Sequence, residues 1–136
     1  MRYVVTGGAG FIGSHLAEAL ADEGHAVVIV DDFSTGKRDN LRWAEGRERV
    51  TVYEGSITDI TLLCEVCAGA DGVFHEAAIA SVPKSVADPV GSNAVNVDGT
   101  LNVLVAARDA GVRKVVLASS AANYGDNPNL PLRETE

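Results

Sequence analysis

The sequence predicts an α/β fold: a doubly wound parallel sheet with strand order 3-2-1-4-5, in one domain over residues 1–136. Three observations predict it. Short apolar runs alternate with segments of helical periodicity, the pattern of strands joined by crossover helices. The first run ends in a glycine-rich turn, Thr6-Gly7-Gly8-Ala9-Gly10-Phe11-Ile12-Gly13, that opens into a helix. The last, Lys114-Val115-Val116-Leu117-Ala118, is apolar after its first residue, as expected of a strand covered on both faces. Right-handed crossovers then make 3-2-1-4-5 the natural order.

In chain order, Tyr3-Val4-Val5 is the first strand, and Leu16, Ala19 and Leu20 recur at helical spacing after the turn. Glycines there let the backbone turn tightly and approach a pyrophosphate, while the helix N-terminus offers unpaired N–H groups and partial positive charge. Two glycine spacings overlap, Gly8-x-Gly10-x-x-Gly13 and Gly7-x-x-Gly10-x-x-Gly13, and the residues alone do not choose between them. The second strand, Ala26 to Val30, ends at Asp31, roughly 20 residues past the turn. A carboxylate there accepts hydrogen bonds from both adenosine ribose hydroxyls and repels a 2′-phosphate, which predicts NAD rather than NADP. Lys37 and Arg38, in the polar loop that follows, are the residues able to read a 2′-phosphate, and Asp31 outweighs them.

Asn40 to Arg49 reads as a short polar helical connection with Trp43 packed inside it, and Val50-Thr51-Val52-Tyr53 as the third strand. The loop at that strand's carboxyl end is where an adenine rests, so Ser56 and Ile57 are candidates for its edge and face. Ile60 to Ala68 is the next helix. It carries Cys64 and Cys67, the only cysteines, which read as core or surface thiols because no second ligand pair exists for zinc. No metal site is expected. Val73-Phe74-His75 is the fourth strand, with His75 anchoring its end, and small Ala77 and Ala78 let the following backbone pass beside a pyrophosphate and nicotinamide ribose.

Val90 to Ala110 reads as one helix. Its apolar positions, from Val95 through Leu101, Val103 and Leu104 to Ala107, occupy more than one side, so the sheet should cover one face and something else another. Asn96, inside it, reads first as a local structural polar residue. Gly111 ends the helix, Ser119 and Ser120 stand at the end of the fifth strand, and residues 121–136 are loop-like.

The composition, 46% hydrophobic and 22% charged, is ordinary for a globular domain. A net charge of −8 argues against nucleic acid or an anionic membrane as partner. No run approaches the roughly 20 apolar residues of a membrane helix, nothing resembles a signal peptide, and the expected location is the cytoplasm.

Five pieces together carry a family resemblance: Thr6 to Gly13, Asp31, His75-Glu76-Ala77-Ala78, Asn96-Val97-Asp98-Gly99-Thr100, and Ser119-Ser120-Ala121-Ala122-Asn123-Tyr124-Gly125. In that order they resemble the N-terminal part of the extended short-chain dehydrogenase/reductases, the NAD-dependent nucleotide-sugar epimerases and dehydratases with a Rossmann-type sheet. Ser81-Val82-Pro83-Lys84-Ser85 looks most like the UDP-hexose 4-epimerases.

The resemblance implies transient oxidation of a UDP-sugar at C4 through NAD, with Ser120 hydrogen-bonding the reacting hydroxyl. The cofactor set it implies is Gly7, Gly10, Phe11, Ile12, Gly13, Asp31, Asp32, Ser34, Thr35, Gly36, Ser56, Ile57, Ala77, Ala78, Ala80, Asn96 and Ser119. Ser81, Val82 and Ser120 form the substrate set, and the expected assembly is a homodimer.

The sequence departs from the family pattern in three ways. Ser56 stands where an Asp commonly holds the adenine amino group, and Asn123 where a branched apolar residue is usual, which puts an amide in a normally buried spot. None of Tyr3, Tyr53 and Tyr124 is followed four residues later by lysine, so the family's Tyr-x-x-x-Lys is absent, as is a substrate domain. The chain therefore reads as a truncated epimerase that binds NAD without turnover. The alternatives are a stand-alone, non-catalytic NAD-binding or interaction module, or a piece of a nucleotide-sugar 4,6-dehydratase or decarboxylase.

Overall fold

In the computed structural model, which describes residues 1–135, five parallel strands form one sheet in the order β3-β2-β1-β4-β5. They are β1 Arg2–Thr6, β2 Ala26–Asp31, β3 Val50–Glu54, β4 Gly72–His75 and β5 Lys114–Leu117. Val4, Val5, Val27, Ile29, Val30 and Val73 are fully or almost fully buried in the three central strands. Burial of side chains this size contributes about 1.5–3 kcal/mol each.

The sheet separates two cores. On one face, α1 (Phe11–Asp22) and a 3₁₀ turn (Arg38–Ala44) cover Val5, Ile29 and Val27, with Leu41 and Trp43 packed in from the turn. On the other, α2 (Ile60–Cys67) and α5 (Thr100–Asp109) pack Leu63, Val66, Val103, Ala106 and Ala107 against Val4, Val28, Val30 and Val73. Asp59 caps α2, its carboxylate accepting the N–H groups of Thr61 and Leu62. Cys64 and Cys67 both lie on α2 as free thiols, Cys67 buried, and burial pushes its thiol pKa up.

Three expectations need correction. The polar connection after β2 is a 3₁₀ turn over Arg38–Ala44 rather than a helix from Asn40 to Arg49. After Ala80, which the sequence reading left unassigned, Ser81 accepts the Lys84 N–H and starts α3 (Val82–Ala87), with Pro83 in the first turn, where its missing N–H has no cost. Asp88 likewise caps α4 (Pro89–Asn93). The single helix expected from Val90 to Ala110 is α4, a π-helical segment (Ala94–Gly99) and α5 in succession. Its second face is not covered, since Val97 is 57% and Leu101 58% exposed.

β5 differs from expectation in the same way. It is an edge strand with Val116 and Leu117 exposed, so its apolar run does not mark a strand covered on both faces. Beyond it, residues 121–135 hold one 3₁₀ turn, Ala121–Tyr124, and otherwise no helix or strand. Glu136 lies outside the described residues.

Candidate functional site

The glycine turn joins β1 to α1 at the carboxyl ends of the strands. Gly7 has φ 68°, and a Cβ there would lie 2.6 Å from the Ala77 backbone nitrogen. Gly10 donates its N–H to the Gly7 carbonyl at 3.0 Å, and a Cβ on Gly13 would collide with that carbonyl. Gly7, Gly10 and Gly13 thus each face backbone, which settles the spacing left open by the sequence. Gly8 instead packs against the Ile29 side chain. The first turn of α1 carries no acidic residue and no side-chain cap, so its N–H groups face outward for an anion.

Asp31, almost fully buried at the tip of β2, holds this turn. Its Oδ2 accepts the Ala9 N–H at 2.9 Å and its Oδ1 the Phe33 N–H at 2.8 Å, with Gly36 packed close against Oδ1. A carboxylate has about four lone-pair sites, so both oxygens keep acceptor capacity for a diol. Ala9 also accepts at its carbonyl from the Lys37 N–H and the Asn40 side chain, which folds the loop after β2 onto the turn. Arg38 is engaged elsewhere: its guanidinium donates to Glu54 at 2.6 Å and lies over the Phe33 ring.

At the end of β4 a buried chain of polar groups crosses the sheet. Thr6 Oγ1 lies 2.7 Å from His75 Nδ1, and His75 Nε2 lies 2.9 Å from Thr100 Oγ1, whose own hydroxyl donates to the Asn96 carbonyl at 2.7 Å. Because the single Thr100 proton is committed to Asn96, His75 must donate from Nε2 and accept at Nδ1. Burial lowers the His75 pKa below the ordinary histidine value, favouring this neutral ring. The Asn96 side chain turns outward and pairs with both backbone groups of Ile79, accepting its N–H at 2.8 Å and donating to its carbonyl at 3.1 Å.

These parts open on one crevice of about 1150 Å³. Every cofactor and substrate candidate named from the sequence lines it: Gly7, Gly10, Phe11, Ile12 and Gly13; Asp31, Asp32, Ser34, Thr35 and Gly36; Ser56 and Ile57; Ala77, Ala78, Ala80, Ser81 and Val82; Asn96; and Ser119 and Ser120. The lining also includes Glu76, Ser85, Val95 and Thr100, which sequence reasoning did not select. The Thr in Gly99-Thr100 was visible, but its partner His75 lies far away in sequence. Among the described lining residues there is no Lys or Arg.

Three candidates sit differently from the roles foreseen. Ile57 is almost fully buried, its side chain packed into the core against Gly99. Ser56 is occupied within its own loop, accepting from the Thr58 N–H and hydroxyl. Asn123 is exposed rather than buried, its amide donating to Ser119 Oγ at 2.5 Å. Ser120 accepts the Ala122 N–H at 3.1 Å. No group of His, Cys, Asp and Glu among the described residues is arranged to hold a metal, and no described helix is long and apolar enough to cross a membrane.

The profile of the NAD dependent epimerase/dehydratase family matches residues 3–136. A UDP-glucose 4-epimerase of Mycolicibacterium smegmatis is 45% identical over 138 residues, an alignment covering 98% of this chain and 44% of that protein. Among solved structures, a UDP-N-acetylglucosamine 4-epimerase from Methanobrevibacter ruminantium M1, in complex with UDP-N-acetylmuramic acid, superposes with a TM-score of 0.89 at 44% identity, covering 99% of this chain and 43% of that one. A UDP-glucose-4-epimerase from Stenotrophomonas maltophila with bound NAD and formylated UDP-arabinopyranose gives 0.90 at 34% identity, over 99% and 41%. The chain thus spans less than half the length of each of these three proteins. A family profile matched along nearly all of the chain, on a sheet ordered as in those epimerases, shows that this chain belongs to the NAD dependent epimerase/dehydratase family.

Proposed function

We propose that residues 1–136 form one NAD-binding domain, the cofactor part of a UDP-hexose 4-epimerase. The observation that carries this reading is the convergence of the glycine turn, Asp31, the Ala77–Ala78 backbone and Ser119–Ser120 on a single crevice. The residues fit a dinucleotide. A Cβ would fill the cradle at Gly7 and Gly13, where a diphosphate needs close backbone approach. With no described cationic side chain in the lining, the diphosphate charge falls to the N–H groups opening α1.

In this reading Asp31 accepts from the adenosine ribose hydroxyls, and its charge, with Arg38 held by Glu54 and Phe33, selects against a 2′-phosphate. NAD held by these residues would supply a reversible hydride acceptor for the sugar C4. Ser120 orients the C4 hydroxyl by hydrogen bonding, while Ser81 and Val82 line the sugar end of the crevice. The proton on that hydroxyl needs an acceptor, and none of Tyr3, Tyr53 and Tyr124 stands in a Tyr-x-x-x-Lys. General-base help is worth about 10²–10⁴-fold, so epimerisation by these 136 residues alone should be slower by at least that factor than with such an acceptor in place. A 4,6-dehydratase shares the same cofactor parts, and the relatives' names favour the epimerase. The apolar stripe of Val97, Leu101 and Leu104 supports a homodimer, and the absence of a long apolar helix among the described residues is compatible with a cytoplasmic protein.

A crystal soaked in NAD tests the site. Density with the diphosphate at Gly10–Gly13 and the adenosine ribose at Asp31 supports the reading, and density elsewhere or none overturns it.

A further inference from the structure

The crevice has two walls joined by one imidazole, His75, which itself belongs to the lining. His75 takes a hydrogen bond from Thr6, the residue before Gly7, and gives one to Thr100, which in turn reaches the Asn96 carbonyl. Thr6 Oγ1 also receives the Ala77 N–H, at 3.4 Å. The Asn96 amide meanwhile clamps both backbone groups of Ile79. A single directional chain therefore runs from the glycine turn, through the ring, to the segment from Glu76 to Ser81.

The π-helical segment carries the far end of this chain. Asn96 and Thr100 are four residues apart, and the Thr100 hydroxyl bonds back to the Asn96 carbonyl while its oxygen faces His75 Nε2. The Asn96 side chain pairs with Ile79 while Thr100 meets His75.

We propose that His75 is a positioning residue for the dinucleotide: acting through Thr100 and Asn96 on one side and Thr6 on the other, its Nε2–H tautomer fixes the spacing between the glycine turn and the Ile79 backbone. The proposal rests on the reading of the crevice as an NAD site. Thr6 is fully buried, so with a proton on Nδ1 its oxygen accepts from the ring and from the Ala77 N–H, and its own proton loses the acceptor shown for it among the described residues. Few charges face the ring to offset this. Arg2 and Lys114 stand at the opposite ends of β1 and β5, Arg108 and Asp109 at the far end of α5, and Glu76 is the adjacent titratable group. Burial alone accounts for the lowered basicity of the ring.

Two measurements test this. Nitrogen-15 NMR of the intact chain at pH 7 reads the His75 tautomer without any substitution, and a protonated Nδ1 or an Nδ1–H tautomer overturns the proposal. Calorimetric NAD titration then compares Thr100→Val, which removes the hydroxyl at nearly constant shape, with Thr100→Ser, which restores it. The expected result is affinity at least about tenfold weaker for T100V and within about threefold of the original for T100S, at equal urea-unfolding slope. Equal affinity for T100V and the unsubstituted chain contradicts the role of the chain through His75. Absence of NAD binding by the unsubstituted chain, with the tautomer as expected, instead counts against the cofactor reading.

Discussion

The Ala9 backbone amide donates to Asp31 Oδ2 at 2.9 Å, so the glycine turn and the tip of β2 are held as one piece. The other oxygen receives the Phe33 N–H, and the same carboxylate faces the crevice. An amide in its place keeps the shape but not the chemistry. Whichever way the Asn of Asp31→Asn turns, its NH₂ meets the N–H of Ala9 or of Phe33. Leaving that buried donor unpaired costs about 1–3 kcal/mol. The variant should unfold at lower urea, bind NAD more weakly, and lose much of its preference for NAD over NADP. Urea titration with paired NAD and NADP calorimetry reads all three, and an unchanged preference contradicts the role given to Asp31.

Gly7 admits no side chain. Its φ of 68° and its contact with Ala77 act together, and on the order of 2–4 kcal/mol is expected for Gly7→Ala from left-handed backbone strain plus overpacking. Gly46, with φ 75° and open space around it, is the control, since its alanine variant meets only the backbone term. Thermal unfolding should rank the variants in that order, and NAD binding should be lost only in Gly7→Ala.

Stability should depend on pH through His75. Its folded pKa lies below that of the unfolded chain, near 6.5, so the unfolded chain binds more protons between the two values. The contribution is fully present above about pH 6.5 and is lost as pH falls toward the folded value. Glu76 works in the opposite sense at lower pH. Burial raises its carboxyl pKa above 4.5, so stability gained from its protonation grows as pH falls through the raised value. Urea midpoints from pH 8 to pH 5 should decline below pH 6.5, and His75→Gln should flatten that decline. A slope unaltered by the substitution contradicts the assignment.

The stripe of Val97, Leu101 and Leu104 is exposed along the π-helical segment that carries Asn96 and the start of α5 that follows it. Sedimentation velocity should show self-association, with Leu101→Glu shifting the chain to monomer and changing stability by no more than about 0.5 kcal/mol, as for an ordinary surface site. A monomeric unsubstituted chain contradicts the proposed homodimer.

Much of this was legible before the structure because the relevant signals are local. A glycine turn between an apolar run and a helix, an acid at the next strand's end and serines after the last strand each announce a strand terminus, and parallel strands bring those termini together. What was not legible depends on neighbours. Val116 and Leu117 read as buried because an apolar run records affinity for cover, not the presence of it. The π-helical segment has no composition of its own, since Ala94 to Gly99 would suit an α-helix equally. Thr100 belongs to a motif the sequence shows, but its role does not follow from the motif, because its hydroxyl matters only once His75 is folded against it. The short helix α3 did have a signal, Ser81 followed by Pro83, which marks a cap and first turn.

Calorimetric titration of the 136-residue chain with NAD and with NADP tests the central claim most directly. Saturable binding of one NAD per chain, tighter than NADP and abolished by Gly7→Ala, is the predicted result. No saturable heat with NAD, or tighter binding of NADP, contradicts it.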